Sequence, residues 1–257
     1  MRVTVLASGS RGNAALFDDG RTRVLVDAGI PLTALRQRLA KTRSPAPDAL
    51  VITHAHGDHH RFAGEVALHF KIPVWTSEST RRVLPLHGAP SVRVFGASEA
   101  FRIGTLTVSP LPLPHDAPQV SLRVAGHDGR AAAIATDLGE VPPGLEQHLR
   151  GCVTVLIESN HDVEMLWRGP YSNSLKRRVA SPRGHLSNRQ CGELLARLDR
   201  RVETVVLAHL SETNNRPDIA LSLAAEALAD HTARLLAASQ DAPTVIDATP
   251  ARQLELF

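Results

Sequence analysis

The chain has 257 residues, of which 43% are hydrophobic and 21% charged, and its formal net charge is +3. This hydrophobic content excludes a disordered chain, and the length suits one large α/β domain or two small ones. Cys152 and Cys191 are too few for a disulfide scaffold or a cysteine-based structural zinc site. Because the sequence has no run of about 18 apolar residues and no signal-peptide pattern, we expect a cytoplasmic protein that does not span a membrane.

Short segments rich in Val, Leu and Ile alternate with helical stretches, which predicts a layered α/β architecture. In the first half, the pattern predicts strands at 3–6, 14–17, 24–27 and 50–53 and near residues 74, 92 and 106, with helices at 32–40 and 61–70. The proline-rich segment 110–114 is predicted to be a loop.

In the second half, strands are predicted at 120–125, 131–136, 153–158 and 205–207, and helices at 142–150, 187–198 and 218–231. Neither an internal repeat nor a clear linker divides the chain. We therefore expect one catalytic domain over residues 1–245, followed by a tail over residues 246–257.

The most informative segment reads His54-Ala-His-Gly-Asp-His59 and lies between a predicted strand and a predicted helix. Three imidazoles and a carboxylate within six residues can face a common point only if a metal ion offsets their crowding, and both groups are common metal ligands. His115, Asp137 and His209 also come where a predicted strand has just ended. We therefore expect them to join the same metal site.

The order of these residues resembles the metallo-β-lactamase fold superfamily. The resemblance implies an α/β fold with a four-layer αββα sandwich and a two-metal site at one edge. It implies that His54, His56 and His115 hold the first metal, that Asp58, His59 and His209 hold the second, and that Asp137 bridges both. Asp27 is similar to a family Asp that orients the H-x-H-x-D-H loop, although a strand-end turn explains it nearly as well. Such nitrogen and oxygen ligands suit two divalent ions, Zn or Mn with Fe also possible.

Four further segments indicate which branch of the superfamily the chain resembles. These are Leu6-Ala-Ser-Gly-Ser-Arg-Gly-Asn13, Glu158-Ser-Asn-His-Asp162, Gly184-His-Leu-Ser-Asn188 and Ala208-His-Leu-Ser211. Together they resemble the YycJ family, also called WalJ or VicX, of metallo-β-lactamase fold nucleases. That resemblance implies 5′-to-3′ exonuclease activity on double-stranded DNA. The two His-Leu-Ser segments are also similar to the tRNA 3′-end-processing branch, which implies that His185 is a general acid.

The remaining candidates support the site or contact substrate: Asn13, His161, Lys176, Arg177 and Arg178. The Gly/Ser segment that ends at Asn13 predicts either a backbone nest for an anion or a tight turn. The basic residues predict either phosphate contacts or a solvated helix face. For His185, a polar residue at a helix N-terminus is the alternative. With Asp58 and Asp137, His185 completes the predicted catalytic set.

The chain ends in Gln253-Leu-Glu-Leu-Phe257. This segment resembles the pentapeptide by which bacterial replication and repair proteins bind the DNA polymerase sliding clamp. The residues that would contact the clamp are Gln253, Leu254, Leu256 and Phe257. The alternative is a final β-strand that pairs with a sheet edge.

We therefore expect a two-metal phosphodiesterase that acts on DNA as a 5′-to-3′ exonuclease in repair or replication and is recruited by the sliding clamp. One alternative is a small-molecule metallohydrolase, such as a thioesterase or cyclic phosphodiesterase, because the same metals serve several substrate classes. The other is a clamp-binding adaptor without enzymatic activity.

Overall fold

The computed structural model describes residues 1–84, 86 and 88–247. The strands are β1 (Arg2–Ala7), β2 (Ala14–Asp18), β3 (Arg23–Val26), β4 (Ala49–Ile52), β5 (Val74–Ser77), β6 (Val92–Phe95), β7 (Phe101–Ile103), β8 (Leu106–Leu113), β9 (Gln119–Ala125), β10 (Ala131–Ala135), β11 (Cys152–Glu158), β12 (Thr204–Ala208), β13 (Arg234–Ala237) and β14 (Thr244–Asp247). The helices are α1 (Leu32–Lys41), α2 (Gly57–His60), α3 (Ala63–Phe70), α4 (Glu78–Arg81), α5 (Leu145–Leu149), α6 (Val163–Arg168), α7 (Asn173–Val179), α8 (Asn188–Leu195) and α9 (Pro217–Ala227).

The described strands form two seven-stranded sheets, ordered β14-β1-β2-β3-β4-β5-β6 and β13-β12-β11-β10-β9-β8-β7. One hydrophobic cluster joins the two inner faces, because it holds Val3 and Val26 of the first sheet together with Leu122 and Val206 of the second. Two further clusters join the outer face of each sheet to helices. This is the four-layer αββα sandwich of the α/β class that the sequence predicts.

The parallel strands of each sheet end at the same edge of the sandwich, where the loops that follow them can form a site. Strands β3 to β6 run parallel in the first sheet, and β10 to β13 run parallel in the second. The carboxyl ends of neighbouring parallel strands meet at the same edge, which is where open α/β sheets bind ligands. No helix among the described residues is both long and apolar enough to cross a membrane.

The prediction of a loop at 110–114 is wrong, because β8 continues to Leu113 and contains Pro110 and Pro112. On one side, β7 pairs with β8 only up to Val108. Beyond that point β8 is an edge strand that pairs with β9 alone. Proline is tolerated at an edge, where the strand does not need the missing N–H donor on its outer side.

The ends of several predicted elements also differ. The predicted helix at 142–150 is only α5, because Pro142, Pro143 and Gly144 precede its first turn. Seven described elements were not predicted, namely α2, α4, β7, α6, α7, β13 and β14. The last of these crosses the expected domain boundary at 245 and pairs with β1, and its Ile246 is buried. We therefore propose that the sandwich extends to Asp247.

Candidate metal centre

Three of the predicted ligands meet at the carboxyl ends of β4 and β8. His54, His56 and His115 each offer a ring nitrogen within 4.8 Å of the others. His56 Nδ1 lies 3.1 Å from His115 Nε2. His54 is fully buried, and its Nε2 has no hydrogen-bond partner among the described residues. Burial lowers the pKa of His54 well below its usual value, so the ring is in the neutral form that binds metals.

A second group combines imidazoles with carboxylates. Its members Asp58, His59, Asp137 and His209 offer ligand atoms within 4.8 Å of one another. Asp137 follows β10, His209 follows β12, and the other two lie in α2. His59 Nε2 is 3.1 Å from Asp137 Oδ2 and 3.5 Å from Asp58 Oδ2. Asp137 lies with this second group, and its bridging of two metals stays a prediction.

The donor set fits a divalent cation. His54 Nε2 and Asp137 Oδ2 are buried and have no hydrogen-bond partner in the described part of the chain, and buried polar atoms are normally paired. Imidazole nitrogens and carboxylate oxygens are ligands that divalent transition metals accept. Although burial disfavours a charged ring, Asp137, Asp58 and Glu158 raise the pKa of His209 to about 10. The same concentration of carboxylates favours a bound cation.

Asp27 supports this site from the end of β3. Its Oδ2 accepts a hydrogen bond from His59 Nδ1 at 2.7 Å, and its Oδ1 accepts one from the backbone N–H of Thr53 at 2.9 Å. With Nδ1 donating to Asp27, the ring of His59 presents Nε2 to the carboxylates. Carboxylates that bind the second nitrogen of a ligand imidazole fix both its tautomer and its orientation.

Three site residues adopt left-handed backbone conformations. The φ angles are 63° at Asp27, 59° at Asp137 and 54° at His209. Asp, Asn and His occur in this region more often than other residues with a Cβ, and such strain concentrates at functional sites. His209 is held from both sides, because its N–H donates to Ser8 Oγ at 2.8 Å and its carbonyl accepts from Asn160 Nδ2 at 2.9 Å.

The Gly/Ser segment supports the H-x-H-x-D-H loop. The Asn13 backbone N–H donates to the Asp58 carbonyl at 2.7 Å, and the Asn13 side-chain nitrogen lies 3.3 Å from Asp58 Oδ2 and 3.0 Å from His59 Nε2. Gly29 allows this approach, since a Cβ there would lie 1.7 Å from the Asp58 carbonyl oxygen. The contacts of Asn13 are thus with two predicted ligands.

Glu158 is a site residue for which the sequence suggested no role. It ends β11, is fully buried, and its Oε1 accepts hydrogen bonds from His185 Nδ1 at 3.0 Å and His209 Nδ1 at 2.8 Å. Its oxygens also accept backbone N–H groups of Asp137, Leu138 and Leu186. Although burial disfavours its charged form, the two imidazoles hold the pKa of Glu158 at about 2. The available signal was a carboxylate at the end of an otherwise apolar strand.

His185 lies at the mouth of the centre. Its side chain is 22% exposed, and its Nδ1 is 3.8 Å from Asp137 Oδ1. Although burial disfavours a charged ring, Glu158 raises the pKa of His185. His161, by contrast, is 2% exposed, and burial lowers its pKa to about 4. Its backbone forms a bridge with Ser187, so it lies behind the His185 loop.

The three basic candidates are placed differently from one another. Lys176 is buried, which fits neither a phosphate contact nor a solvated helix face. Its Nζ donates to the carbonyl of Trp167 at 2.9 Å. Arg177 is exposed. Arg178 pairs with Asp116, whose Oδ1 is 3.2 Å from His56 Nε2. Arg178 therefore supports the first ligand group through this carboxylate.

The tail residues Gln253, Leu254, Leu256 and Phe257 lie outside the described residues.

Known proteins resemble this chain in sequence and in fold. Residues 22–210 match the beta-lactamase superfamily domain. Exodeoxyribonuclease WalJ of Streptococcus pneumoniae is 31% identical over 228 residues, or 85% of each chain, and exodeoxyribonuclease YycJ of Bacillus anthracis is 30% identical over 227 residues, or 86% of each chain. Zn²⁺-bound PqqB from Methylobacterium extorquens shares the fold at 14% identity, with a TM-score of 0.73 over 96% of this chain and 100% of PqqB. The chain therefore belongs to the β-lactamase superfamily and, within it, to the family of the WalJ and YycJ exodeoxyribonucleases.

Proposed function

We propose that this protein is a metal-dependent 5′-to-3′ exonuclease that hydrolyses phosphodiester bonds of DNA in repair or replication. The observation that carries the proposal is the position of His185, which Glu158 holds beside the two ligand groups at the mouth of the centre. The relation to exodeoxyribonucleases over most of the chain supports DNA as the substrate.

In this proposal the ligand groups hold two divalent ions, Zn or Mn with Fe also possible. His54, His56 and His115 would hold the first ion, Asp58, His59 and His209 would hold the second, and Asp137 would be shared between them. When bound, the ions supply an activated water and positive charge that stabilises the phosphoryl oxygens. Asp27 and Glu158 keep the ligand imidazoles in the tautomers that this role requires.

His185 protonates the oxygen that leaves when the phosphodiester bond breaks. Its Nδ1 donates to Glu158, so its Nε2 carries the proton that can pass to the leaving oxygen. Because Glu158 raises the pKa of His185, the ring keeps this proton near neutral pH. Asp58, Asp137 and His185 are thus the proposed catalytic residues.

Digestion of end-labelled nucleic acids tests the proposal. We expect the protein with Mn²⁺ or Zn²⁺ to release label first from the 5′ ends of double-stranded DNA. Single-stranded DNA and matched RNA, each labelled at either end, complete the comparison. Hydrolysis of a thioester or a cyclic phosphodiester with DNA left intact contradicts the proposal and indicates a small-molecule hydrolase. If neither DNA nor the small substrates are hydrolysed when metal is supplied, the result indicates a clamp-binding adaptor without enzymatic activity.

The C-terminal residues 253–257 are the basis for proposing a protein partner. We propose that Gln253, Leu254, Leu256 and Phe257 bind the DNA polymerase sliding clamp, as the resemblance of this segment implies. Deletion of residues 253–257 should abolish capture of the protein by immobilised clamp and leave hydrolysis of free DNA ends unchanged. Glu255→Ala is the matched control, since Glu255 is not among the residues expected to contact the clamp. Unchanged capture after the deletion contradicts this part of the proposal.

A further inference from the structure

Helix α6, which begins two residues after His161, exposes an aromatic side chain. Trp167 is 48% exposed, and Val163, one helical turn earlier, is 45% exposed. Tryptophan is usually largely buried, because its ring contributes strongly to hydrophobic packing. The other tryptophan, Trp75, follows this rule and stacks on Phe101 with ring centroids 5.0 Å apart. The exposed ring of Trp167 therefore requires another explanation.

The helices α6 and α7 are attached to the walls of the centre at both ends. His161 directly precedes the capping residue of α6, and its carbonyl accepts the N–H of Asn188 at 2.8 Å. At the other end, the carbonyl of Val179 accepts the N–H of His185 at 2.9 Å. A helix advances about 1.5 Å per residue, so Trp167 lies about 6 Å along the axis of α6 from Val163, the residue that follows the cap.

Helix α7 and the loop that follows it present positive charge. Arg177 and Arg183 are exposed, and no carboxylate of the described residues forms an ion pair with either. Lys176 instead fixes the backbone of Trp167 by donating to its carbonyl. This bond holds the last turn of α6, where a cation is also favoured by the helix dipole. The segment from Trp167 to Arg183, which leads into the loop that carries His185, therefore holds an exposed aromatic ring and two cations that form no ion pair with the described residues.

We propose that Trp167 stacks on a base of the DNA strand that enters the metal centre, while Arg177 and Arg183 contact the phosphates of that strand. This inference rests on the proposed nuclease function and adds the surface that guides the strand. An exposed ring flanked by cations matches a chain of flat bases joined by anionic phosphates. Stacking also accepts every base, because each base has a flat π face, and an exonuclease must pass any sequence.

Intrinsic fluorescence tests the stacking directly. With Trp75→Phe as background, Trp167 is the single tryptophan of the chain. A single-stranded oligonucleotide with phosphorothioate linkages, which resist hydrolysis, should quench its emission. An abasic strand of the same length and charge should quench it far less. Quenching of equal size by both strands, or binding of the ordinary strand without quenching, overturns the proposal.

Affinity measurements on the otherwise native sequence give a second readout that does not depend on the Trp75 change. By fluorescence anisotropy with a labelled single strand, Trp167→Ala should weaken binding about tenfold, and Trp167→Phe should restore most of it. Val83→Ala is the matched control, since Val83 is 66% exposed and lies on the first sheet's side of the sandwich. Equal affinities of the native protein and Trp167→Ala overturn the stacking.

The two proposals fail in different ways. If the native protein digests end-labelled DNA but Trp167 is not quenched, the stacking surface is wrong and the nuclease function stands. If Trp167 is quenched by the ordinary strand but no DNA is digested with metal supplied, the stacking surface stands and the proposed nuclease function is wrong.

Discussion

Asp137→Asn should abolish hydrolysis of DNA and leave the fold intact. The substitution removes the negative charge of a buried carboxylate whose Oδ2 is 3.1 Å from His59 Nε2. Asparagine is nearly isosteric and tolerates the left-handed backbone of residue 137, so the loop should keep its shape. Loss of residues that merely support a metal ligand costs about 10- to 100-fold in activity or metal affinity, and loss of a ligand should cost more.

Three measurements check this result. Digestion of end-labelled DNA gives the activity, elemental analysis of the purified protein gives the metal content, and thermal unfolding reports the fold. Asp230→Asn is the matched control, because Asp230 is exposed and lies after α9, away from the ligand groups. Asp58→Ala should also lose activity. Full activity in either Asp137→Asn or Asp58→Ala would refute the assignment of the site.

Glu158→Gln should lower both stability and the rate of the chemical step. The two oxygens of Glu158 together accept five hydrogen bonds, three of them from backbone N–H groups. In glutamine, one oxygen becomes an NH₂ group that faces donors instead of accepting from them. Removing one partner of a buried charged network costs about 3–5 kcal/mol. His185 remains but loses its carboxylate partner, so kcat should fall by at most the factor of about 10²–10⁴ that general acid catalysis contributes.

The pH profile separates a positioning role from a merely structural one. Because Glu158 raises the pKa of His185, the substitution should lower that pKa. A general acid must be protonated, so activity falls as pH rises through its pKa, and this alkaline limb should move to lower pH in Glu158→Gln. Glu193→Gln, an exposed change on α8, is the control. A variant that retains the native kcat and alkaline limb contradicts the role of Glu158.

The sequence predicted the parts of the site that are local. Three imidazoles and a carboxylate lie within one short segment, and the other predicted ligands follow strands with clear hydrophobic patterns. Glu158 was missed because its histidine partners are 27 and 51 residues away in sequence. The short helices α6 and α7 lack a hydrophobic period long enough to detect. The N-cap residues Asp162 and Ser172 were the sequence features that could have revealed α6 and α7.

Strand β14 places Asp247, the last described residue, at the start of β1. Asp247 pairs with Arg2 at the start of β1, whereas Ser8, just after the end of β1, contacts His209. At about 3.3 Å per residue, these two ends of the strand are roughly 20 Å apart. A partner that binds residues 253–257 would therefore be tethered through Asp247, at the end of β1 that lies away from His209. The ten residues after Asp247 reach at most about 35 Å, so a bound clamp would raise the local concentration of the enzyme at DNA.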